Sequence, residues 1–364
     1  MKKAQFILIG GGWRGEFYMR LAQKMPNRFE ITAIVTVDPK QQTYYASWGF
    51  NCVESLDRAL LAGQPDFVVI CVPHTVAAKV AVEVLKTGLP VLSETPAGSS
   101  LDDLLYLAAN MPQNAKYQVA EQYHLRPDMA ARLSVIAKGK IGHPQLALVS
   151  LTNNYHAIAL MRKFLNVSGH ETTILAQRFQ VTGQPGFERS GLALLERFQV
   201  YNQTLATFNF GQGKTGIYNF EDDQHRSFIR SQHIQVKGDR GELNDKDLRY
   251  LKDFKTPIIS HVQRINKGEY ENMEGVGFKG LILAGDWLYQ NPYQETVLSD
   301  DEIALATCLR QMADYCRGGK AFYSFAQAAQ DFYLTLLIEE SIETQQAVHT
   351  QPQPWTSELL KDYE

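Results

Sequence analysis

A short apolar run opens the chain and stops at three spaced glycines. Residues 6–9 are all apolar, and Gly10, Gly12 and Gly15 follow with the spacing G-x-G-x-x-G. A helical pattern then continues to about residue 24, so the opening predicts a strand, a tight turn and a helix. The first N–H groups of a helix lack partners inside the helix and its dipole attracts anions, so this turn suits a pyrophosphate.

The three glycines have separate physical roles in such a loop. Gly10 permits the turn, Gly12 lets the backbone approach phosphates, and Gly15 lets the helix pack closely on the strand. Trp13 and Arg14 lie between them and are predicted to contact the same ligand. Because the motif stands between a predicted strand and a predicted helix, it favours dinucleotide binding over a purely structural turn.

Apolar runs and helical patterns alternate through about residue 122. The predicted strands cover residues 6–9, 31–37, 67–72, 90–93 and 116–120, with helices between them. Thr75 and Ser100 are the predicted N-caps of two of these helices. Such alternation predicts right-handed crossovers and a doubly wound parallel sheet, hence a dinucleotide-binding domain of Rossmann type over residues 1–122.

The pattern changes beyond about residue 127 and becomes rich in strands. Helices are predicted at 127–139 and 156–165, and strands at 146–151, 172–181, 195–210, 214–221, 228–237 and 256–265. Two long helices follow, the first opened by a capping box at Ser299 and the second running from about 324 to 346, before an extended tail. Residues 123–364 therefore form a predicted α+β domain with a mostly antiparallel sheet covered by helices.

Composition and charge narrow the class of protein. The 364 residues carry a net charge of −3 without a basic block, which argues against nucleic-acid binding. No apolar run approaches the roughly 20 residues that span a bilayer, and the first apolar run is too short for a secretion signal. The four cysteines are scattered, without a C-x-x-C pair, so we expect buried reduced thiols in a cytoplasmic protein.

Several strings together resemble the Gfo/Idh/MocA oxidoreductases, a family that includes glucose–fructose oxidoreductase and inositol dehydrogenase. The strings lie, in order, at residues 6–15, 65–73, 81–88, 90–96, 139–142 and 238–242. The resemblance covers nearly the whole chain and implies a Rossmann domain followed by a domain on an open, largely antiparallel sheet. It also implies NAD(P)-dependent hydride transfer with a sugar-like or cyclitol alcohol, and a homo-oligomer, a dimer or tetramer, that buries the open sheet face.

Two departures from the family pattern concern the predicted active site. Thr95 stands where the family usually has the lysine of Glu-Lys-Pro, and threonine has neither its charge nor its reach. The family's Asp-x-Gly-x-His matches residues 152–156, which keep the histidine as His156 and lose the aspartate. His170 offers a competing alignment, but His156 is preferred because it precedes a predicted helix whereas His170 precedes a strand.

His156 is the predicted general base. Oxidation of an alcohol removes the hydroxyl proton, and the pKa of histidine near neutrality suits that transfer. A helix-start histidine bonded to backbone is the structural alternative. Thr95, Tyr123, His124 and His74 are the further candidates. One of Tyr123, His124 and His74 is expected to replace part of the missing lysine's role.

The ends of the Rossmann strands supply the remaining candidates, because ligands of open parallel sheets bind outside the carboxyl ends of the strands. Pro73, His74 and Glu94 follow two of these strands and are predicted to contact the cofactor. Tyr123 and His124 follow another strand and are expected near the substrate. Ordinary loop histidines are the alternative for both His74 and His124.

The end of the second strand leaves the choice between NAD and NADP open. NAD enzymes usually have an acidic residue there for the ribose hydroxyls, but the matching residue is Thr36, with Asp38 in the turn after it. Thr36 would not repel a 2′-phosphate, and Arg14 or Lys40 could neutralise one, so NADP is slightly favoured. Asp38 could instead reach the ribose after a small shift in register.

Other functions remain open in the sequence. A set of imidazoles and carboxylates could in principle converge on a metal, although no pair has helical ligand spacing and no metal is predicted; the set comprises His74, Glu94, Glu121, His124 and His156. Loss of the lysine and the aspartate would also fit a redox-neutral lyase or hydrolase with a tightly bound cofactor. A non-catalytic nucleotide-binding protein is the third hypothesis.

Overall fold

A computed structural model describes residues 2–188, 191–192, 195–268, 275 and 277–363. The chain forms two compact units, and each contains two stretches of sequence. The first unit comprises Met1–Arg126 and Pro292–Ala329, and the second comprises Pro127–Asn291 and Gln330–Glu364. This division differs from the predicted domain boundary after residue 122, because residues 292–329 pack with the N-terminal unit although they follow the second one in sequence.

Helices occur in both units. In chain order they are α1 (Trp13–Lys24), α2 (Pro39–Ser47), α3 (Leu56–Leu61), α4 (His74–Lys86), α5 (Leu101–Asn110), α6 (Pro127–Ala137), α7 (Asn154–Leu165), α8 (Asp300–Cys316), α9 (Phe325–Thr344) and α10 (Thr356–Lys361). Two short 3₁₀ turns lie at Tyr123–Leu125 and Gln224–Arg226. In the part of the chain that the structure describes, no helix is both long and apolar enough to cross a membrane.

Among the residues that the structure describes, strands make up one sheet in the first unit and three in the second. In the first unit they are β1 (Ala4–Ile9), β2 (Phe29–Val35), β3 (Cys52–Val53), β4 (Phe67–Ile70), β5 (Val91–Ser93) and β6 (Tyr117–Val119). In the second unit they are β7 (Pro144–Ser150), β8 (Thr173–Gly183), β9 (Phe187–Glu188), β10 (Gly191–Leu192), β11 (Gln199–Asn209), β12 (Thr215–Glu221), β13 (His233–Gly238), β14 (Gly241–Asn244), β15 (Asp247–Leu251), β16 (Pro257–His261), β17 (Gln263–Lys267), β18 (Gly277–Leu283), β19 (Asp286–Gln290) and β20 (Val348–His349).

The first unit confirms the predicted doubly wound fold. Its six strands are parallel and lie in the order β3-β2-β1-β4-β5-β6. The order reverses between β1 and β4, and ligands of such sheets bind where it reverses, outside the carboxyl ends of the strands. The four residues of β4 are all buried, as expected for a central strand with both faces covered.

Side chains cap α2, α3, α5 and α8 in this unit, whereas α1 and α4 begin without a side-chain cap. The Ser100 hydroxyl accepts from the N–H of Asp103 at 3.2 Å, and Ser299 forms the predicted capping box with Glu302. Helix α4 begins at His74 directly after Pro73, so the predicted cap at Thr75 is wrong. Helix α2 was not predicted from the sequence, because its apolar and polar residues form only a weak amphipathic pattern.

The second unit has the predicted mixed architecture. Its main sheet has nine strands in the order β16-β15-β14-β13-β7-β12-β11-β8-β20. Among the described residues its neighbouring strands pair antiparallel except β7 with β12. The strand predicted at 256–265 is divided, because β16 pairs with β15 in this sheet while β17 pairs with β18 in another. The strand predicted from 228 begins only at His233.

The C-terminal tail does not run extended over the surface as predicted. It adds β20 to the main sheet and then forms α10. Trp355 is 2% exposed, and its indole N–H donates to Oε1 of Gln330 at 3.0 Å. Burying such a large ring gains enough apolar contact to order a segment whose glutamines and prolines suggested none.

The cysteines agree with the prediction in their oxidation state and only partly in their burial. All four cysteines are free thiols, as predicted. Cys71 and Cys308 are buried, and burial raises the pKa of both thiols. Cys52 and Cys316 are only partly buried, so the expectation of burial is wrong for these two.

Candidate functional site

The glycine loop is crowded on one side and open on the other. Gly10 has φ +102°, and a Cβ there would lie 2.4 Å from the carbonyl oxygen of Cys71. A Cβ on Gly15 would lie 2.7 Å from the carbonyl oxygen of Gly10, so α1 packs directly against the turn. A Cβ on Gly12 would meet nothing within 4 Å.

The start of α1 therefore has the form of an anion site. Gly12 is its N-cap residue, with φ −73° and ψ 175°, and contributes no side-chain cap. Backbone N–H groups at an uncapped helix start, together with the helix dipole, suit phosphate oxygens. The open side of Gly12 gives such a group access to the backbone, so the residues present fit the pyrophosphate of a dinucleotide.

Arg14 was considered as a partner for a phosphate, but in the structure it forms an ion pair with Glu94. Its Nε lies 2.9 Å from Oε1 of Glu94, and a terminal nitrogen donates to Oε1 of Gln122 at 2.7 Å. The hydroxyl of Tyr18, one turn further along α1, donates to the same Glu94 oxygen at 2.5 Å. The four side chains join the loop after β1 to the ends of β5 and β6.

Burial and charge both act within this network. Burial lowers the pKa of the Arg14 guanidinium, but the charge of Glu94 outweighs it, so the pKa is raised and Arg14 stays a cation. Burial, aided by Glu94, also raises the pKa of Tyr18 well above its usual value, so Tyr18 stays a neutral donor. A cation committed to a carboxylate in this way is poorly suited to neutralise a 2′-phosphate.

Tyr18 and Gln122 were not identified from the sequence. Tyr18 stands four residues after Arg14, so both lie on the same side of α1. That spacing is the sequence feature from which their shared contact could have been predicted. Gln122 offers no comparable signal, because its contact with Arg14 joins residues 108 positions apart.

The end of β2 carries an uncharged residue, and the acidic residue after it caps a helix. Thr36 is 8% exposed, and its hydroxyl donates to Oε1 of Gln41 at 2.8 Å. Asp38 caps α2 by accepting from the N–H of Lys40 at 2.9 Å. One oxygen of the Asp38 carboxylate is thus engaged by the helix, and both Asp38 and Lys40 are exposed.

The ends of β4, β5 and β6 bring further predicted residues to the same edge of the sheet. Pro73 and His74 start α4 and are exposed; burial lowers the pKa of His74, partly opposed by the charge of Glu94. Thr95 follows Glu94 and is partly buried. Tyr123 and His124 form the 3₁₀ turn after β6.

Tyr123 and His124 differ in exposure. Tyr123 is partly buried, with the guanidinium carbon of Arg126 at 5.6 Å from its ring centre. His124 is 8% exposed, and its ring lies 5.3 Å from that of Tyr323. Its burial against an aromatic ring also fits the alternative of a packed histidine.

His156 lies in the second unit, as the third residue of α7. It is 9% exposed, and its ring centre is 4.3 Å from that of Tyr155. The start of this helix is held by Asn154, whose φ is +46° and whose N–H donates to the Tyr218 hydroxyl at 3.1 Å. His170 instead bonds through Nδ1 to the hydroxyl of Ser168 at 2.6 Å, before β8.

The conjectured convergence of ligands on a metal has no support in the structure. Among the described residues, no group of three or more His, Cys, Asp or Glu side chains could hold a metal ion.

Substitutions in the glycine loop should separate folding from ligand access. Gly10→Ala adds a Cβ in the left-handed region and against a carbonyl, so we expect it to lower the free energy of unfolding by about 2–5 kcal/mol. Gly12→Ala should leave it within about 0.5 kcal/mol, because its Cβ has room. Urea unfolding of both variants checks this, and equal stabilities would contradict the described turn.

Comparison with known proteins agrees with this architecture. The Gfo/Idh/MocA model, described as an oxidoreductase family with an NAD-binding Rossmann fold, matches residues 4–123. Among curated protein sequences, none matches this chain.

Solved structures share the fold over nearly the whole chain. A myo-inositol dehydrogenase from Corynebacterium glutamicum has 17% identity and a TM-score of 0.65, covering 96% of this chain and 100% of its own. An oxidoreductase from Agrobacterium radiobacter in complex with NAD+, L-tartaric acid and magnesium has 16% identity and a TM-score of 0.66, covering 96% and 98%. A levoglucosan dehydrogenase in complex with NADH and levoglucosan has 16% identity and a TM-score of 0.67, covering 96% and 100%.

These likenesses show the fold, and the family match covers the part of the chain that contains the glycine loop. Residues 4–123 are thus similar to the Gfo/Idh/MocA oxidoreductases, a family with an NAD-binding Rossmann fold, and the rest of the chain shares the fold of the solved structures.

Proposed function

We propose that this protein is an NAD(P)-dependent dehydrogenase that oxidises a sugar-like or cyclitol alcohol. The observation that carries the proposal is the glycine loop, whose open side at Gly12 lies at an uncapped helix start within the part of the chain that matches the family. Gly10, Gly12, Trp13 and Gly15 would hold the pyrophosphate. When bound, a nicotinamide dinucleotide accepts the hydride from the substrate carbon.

His156 is the proposed base. It takes the hydroxyl proton of the alcohol, so that loss of hydride and proton together leaves a carbonyl. A base in this role contributes about 10²–10⁴ in rate. Thr95, Tyr123, His124 and His74 are proposed as polar contacts of substrate or nicotinamide, and Glu94 is proposed to orient the loop that carries Thr95 through its bonds to Arg14 and Tyr18.

The substrate class rests on likeness to proteins whose names give cyclitols and an anhydrosugar, namely the myo-inositol and levoglucosan dehydrogenases. Similar folds host different chemistries, so this part of the proposal is the one that a substrate screen decides. Thr95 favours a second candidate, a redox-neutral lyase or hydrolase with a retained cofactor. Net formation of NAD(P)H with a screened alcohol would exclude that candidate.

A cofactor titration tests the nucleotide site. We expect NADH or NADPH to bind with a dissociation constant below a millimolar, seen as quenching of tryptophan fluorescence, because Trp13 is 50% exposed within the glycine loop. Gly12→Ala should weaken binding by about tenfold or more, since a methyl group blocks close approach of the phosphates. The neutral end of β2 favours NADPH slightly.

The matched control for this titration is Gly63→Ala, because Gly63 lies after α3, remote in sequence from the loop, and a Cβ there would also meet nothing within 4 Å. Absence of binding of either dinucleotide at millimolar concentration to folded wild-type protein would overturn the proposed function.

Replacement of His156 tests its role as the base. His156→Ala should lower kcat/KM by about 10²–10⁴ while the dissociation constant of the cofactor stays unchanged. His170→Ala is the matched control, because it removes the histidine of the competing alignment, and it should retain full activity. The reverse pattern would transfer the role to His170.

Self-association through the open face of the main sheet is also proposed. Leu175, Phe179 and Leu205 are 47%, 47% and 40% exposed. They share one face, because Leu205 pairs with Gln177, which lies between the other two at strand period. Exposed apolar residues grouped in this way are typical of interfaces. Light scattering should give the mass of a dimer or tetramer, and a monomer mass would contradict the proposal.

A further inference from the structure

One side chain joins the end of β2 to the glycine loop. Oε1 of Gln41 accepts from the Thr36 hydroxyl at 2.8 Å. The same oxygen would lie 2.6 Å from a Cβ on Gly11, so the amide of Gln41 also rests against the backbone of the loop. Gln41 therefore occupies the interval between the two backbone segments that, in dinucleotide-binding sheets, hold the adenosine ribose.

Several other polar side chains near this interval already have partners. Asp38 caps α2, and the amide of Gln42 donates to the Thr36 carbonyl at 2.7 Å. The Tyr45 hydroxyl donates to the carbonyl of Gly11. Arg14 is paired with Glu94.

Gln41 keeps hydrogen-bonding capacity in spite of these contacts. It is partly buried on α2, and within the described ranges its Nε2 has no protein acceptor at hydrogen-bond distance. A primary amide offers donors for a phosphate oxygen and an acceptor for a hydroxyl, and it carries no charge.

We propose that the Gln41 amide contacts the 2′ position of the adenosine ribose and admits both a 2′-hydroxyl and a 2′-phosphate. This inference rests on the proposed function. Because the amide is neutral and can both donate and accept, it favours neither group strongly, and a charge introduced at position 41 would create a preference. A carboxylate at this place would accept from the ribose hydroxyls and repel a phosphate, whereas an ammonium group would attract the phosphate.

The test is a reciprocal pair of substitutions, with NADH and NADPH as probes and fluorescence titration as the readout. Gln41→Glu should raise the ratio of the NADPH to the NADH dissociation constant by about tenfold or more, and Gln41→Lys should lower it by a similar factor. Gln41→Ala should weaken both complexes several-fold while Tm stays near that of the wild type, which guards against a charged variant that fails to fold.

Thr43→Glu is the matched control, because it adds the same charge to an exposed position on α2. In this variant the ratio of the NADPH to the NADH dissociation constant should stay within about twofold of the wild-type ratio, since exposed charges are screened by salt. An unchanged ratio in both charged variants, unchanged binding by Gln41→Ala, or an equal shift in Thr43→Glu would overturn the assignment. Failure of folded wild-type protein to bind either dinucleotide would instead overturn the proposed function.

Discussion

The turn at Gly10 is the constraint on which the first unit depends. The backbone there has φ +102° and passes so close to the Cys71 carbonyl that a side chain would not fit. Because Cys71 follows β4, this contact lies where β1 and β4 meet and the strand order reverses. Gly15 then packs α1 onto the carbonyl of Gly10, which aims the helix start outward at Gly12. Two close backbone approaches thus leave the helix start at Gly12 open, as the proposed anion site requires.

Charge is balanced around that site by the Arg14–Glu94 pair. Removing two charges from water is costly, and the bonds from Tyr18 and Gln122 satisfy groups that would otherwise be left without partners. Thr36, Gln41 and Thr95 add polar groups without charge to the same unit.

In the second unit, contacts at the start of α7 fix the backbone that carries His156. Asn154 adopts a positive φ at the first position of α7, a conformation that asparagine tolerates better than most residues. Its N–H is satisfied by the Tyr218 hydroxyl, from a buried position on β12 where burial raises the pKa of the phenol. The sheet therefore fixes the first turn of the helix, and with it the backbone position of His156.

Local sequence determined the elements whose physics is local. The apolar run and glycine spacing at residues 6–15 predict the strand, turn and helix, because each glycine answers a requirement of the backbone within a few residues. Hydroxyl side chains at Ser100 and Ser299 cap their helices for the same reason. The alternation of strands and helices was enough to predict a parallel sheet in one unit and a mostly antiparallel sheet in the other.

Only tertiary structure decided the contacts between residues far apart in sequence. Arg14 was predicted to contact the cofactor, but in the structure its guanidinium pairs with Glu94, 80 positions later, where both side chains are partly buried. Likewise the strand expected at 256–265 was divided because its two halves find different neighbours, and the tail was ordered by a pocket for Trp355. The pattern of apolar and polar residues along a chain indicates which residues prefer burial. The partner that each buried group contacts is determined by the packing of the whole unit.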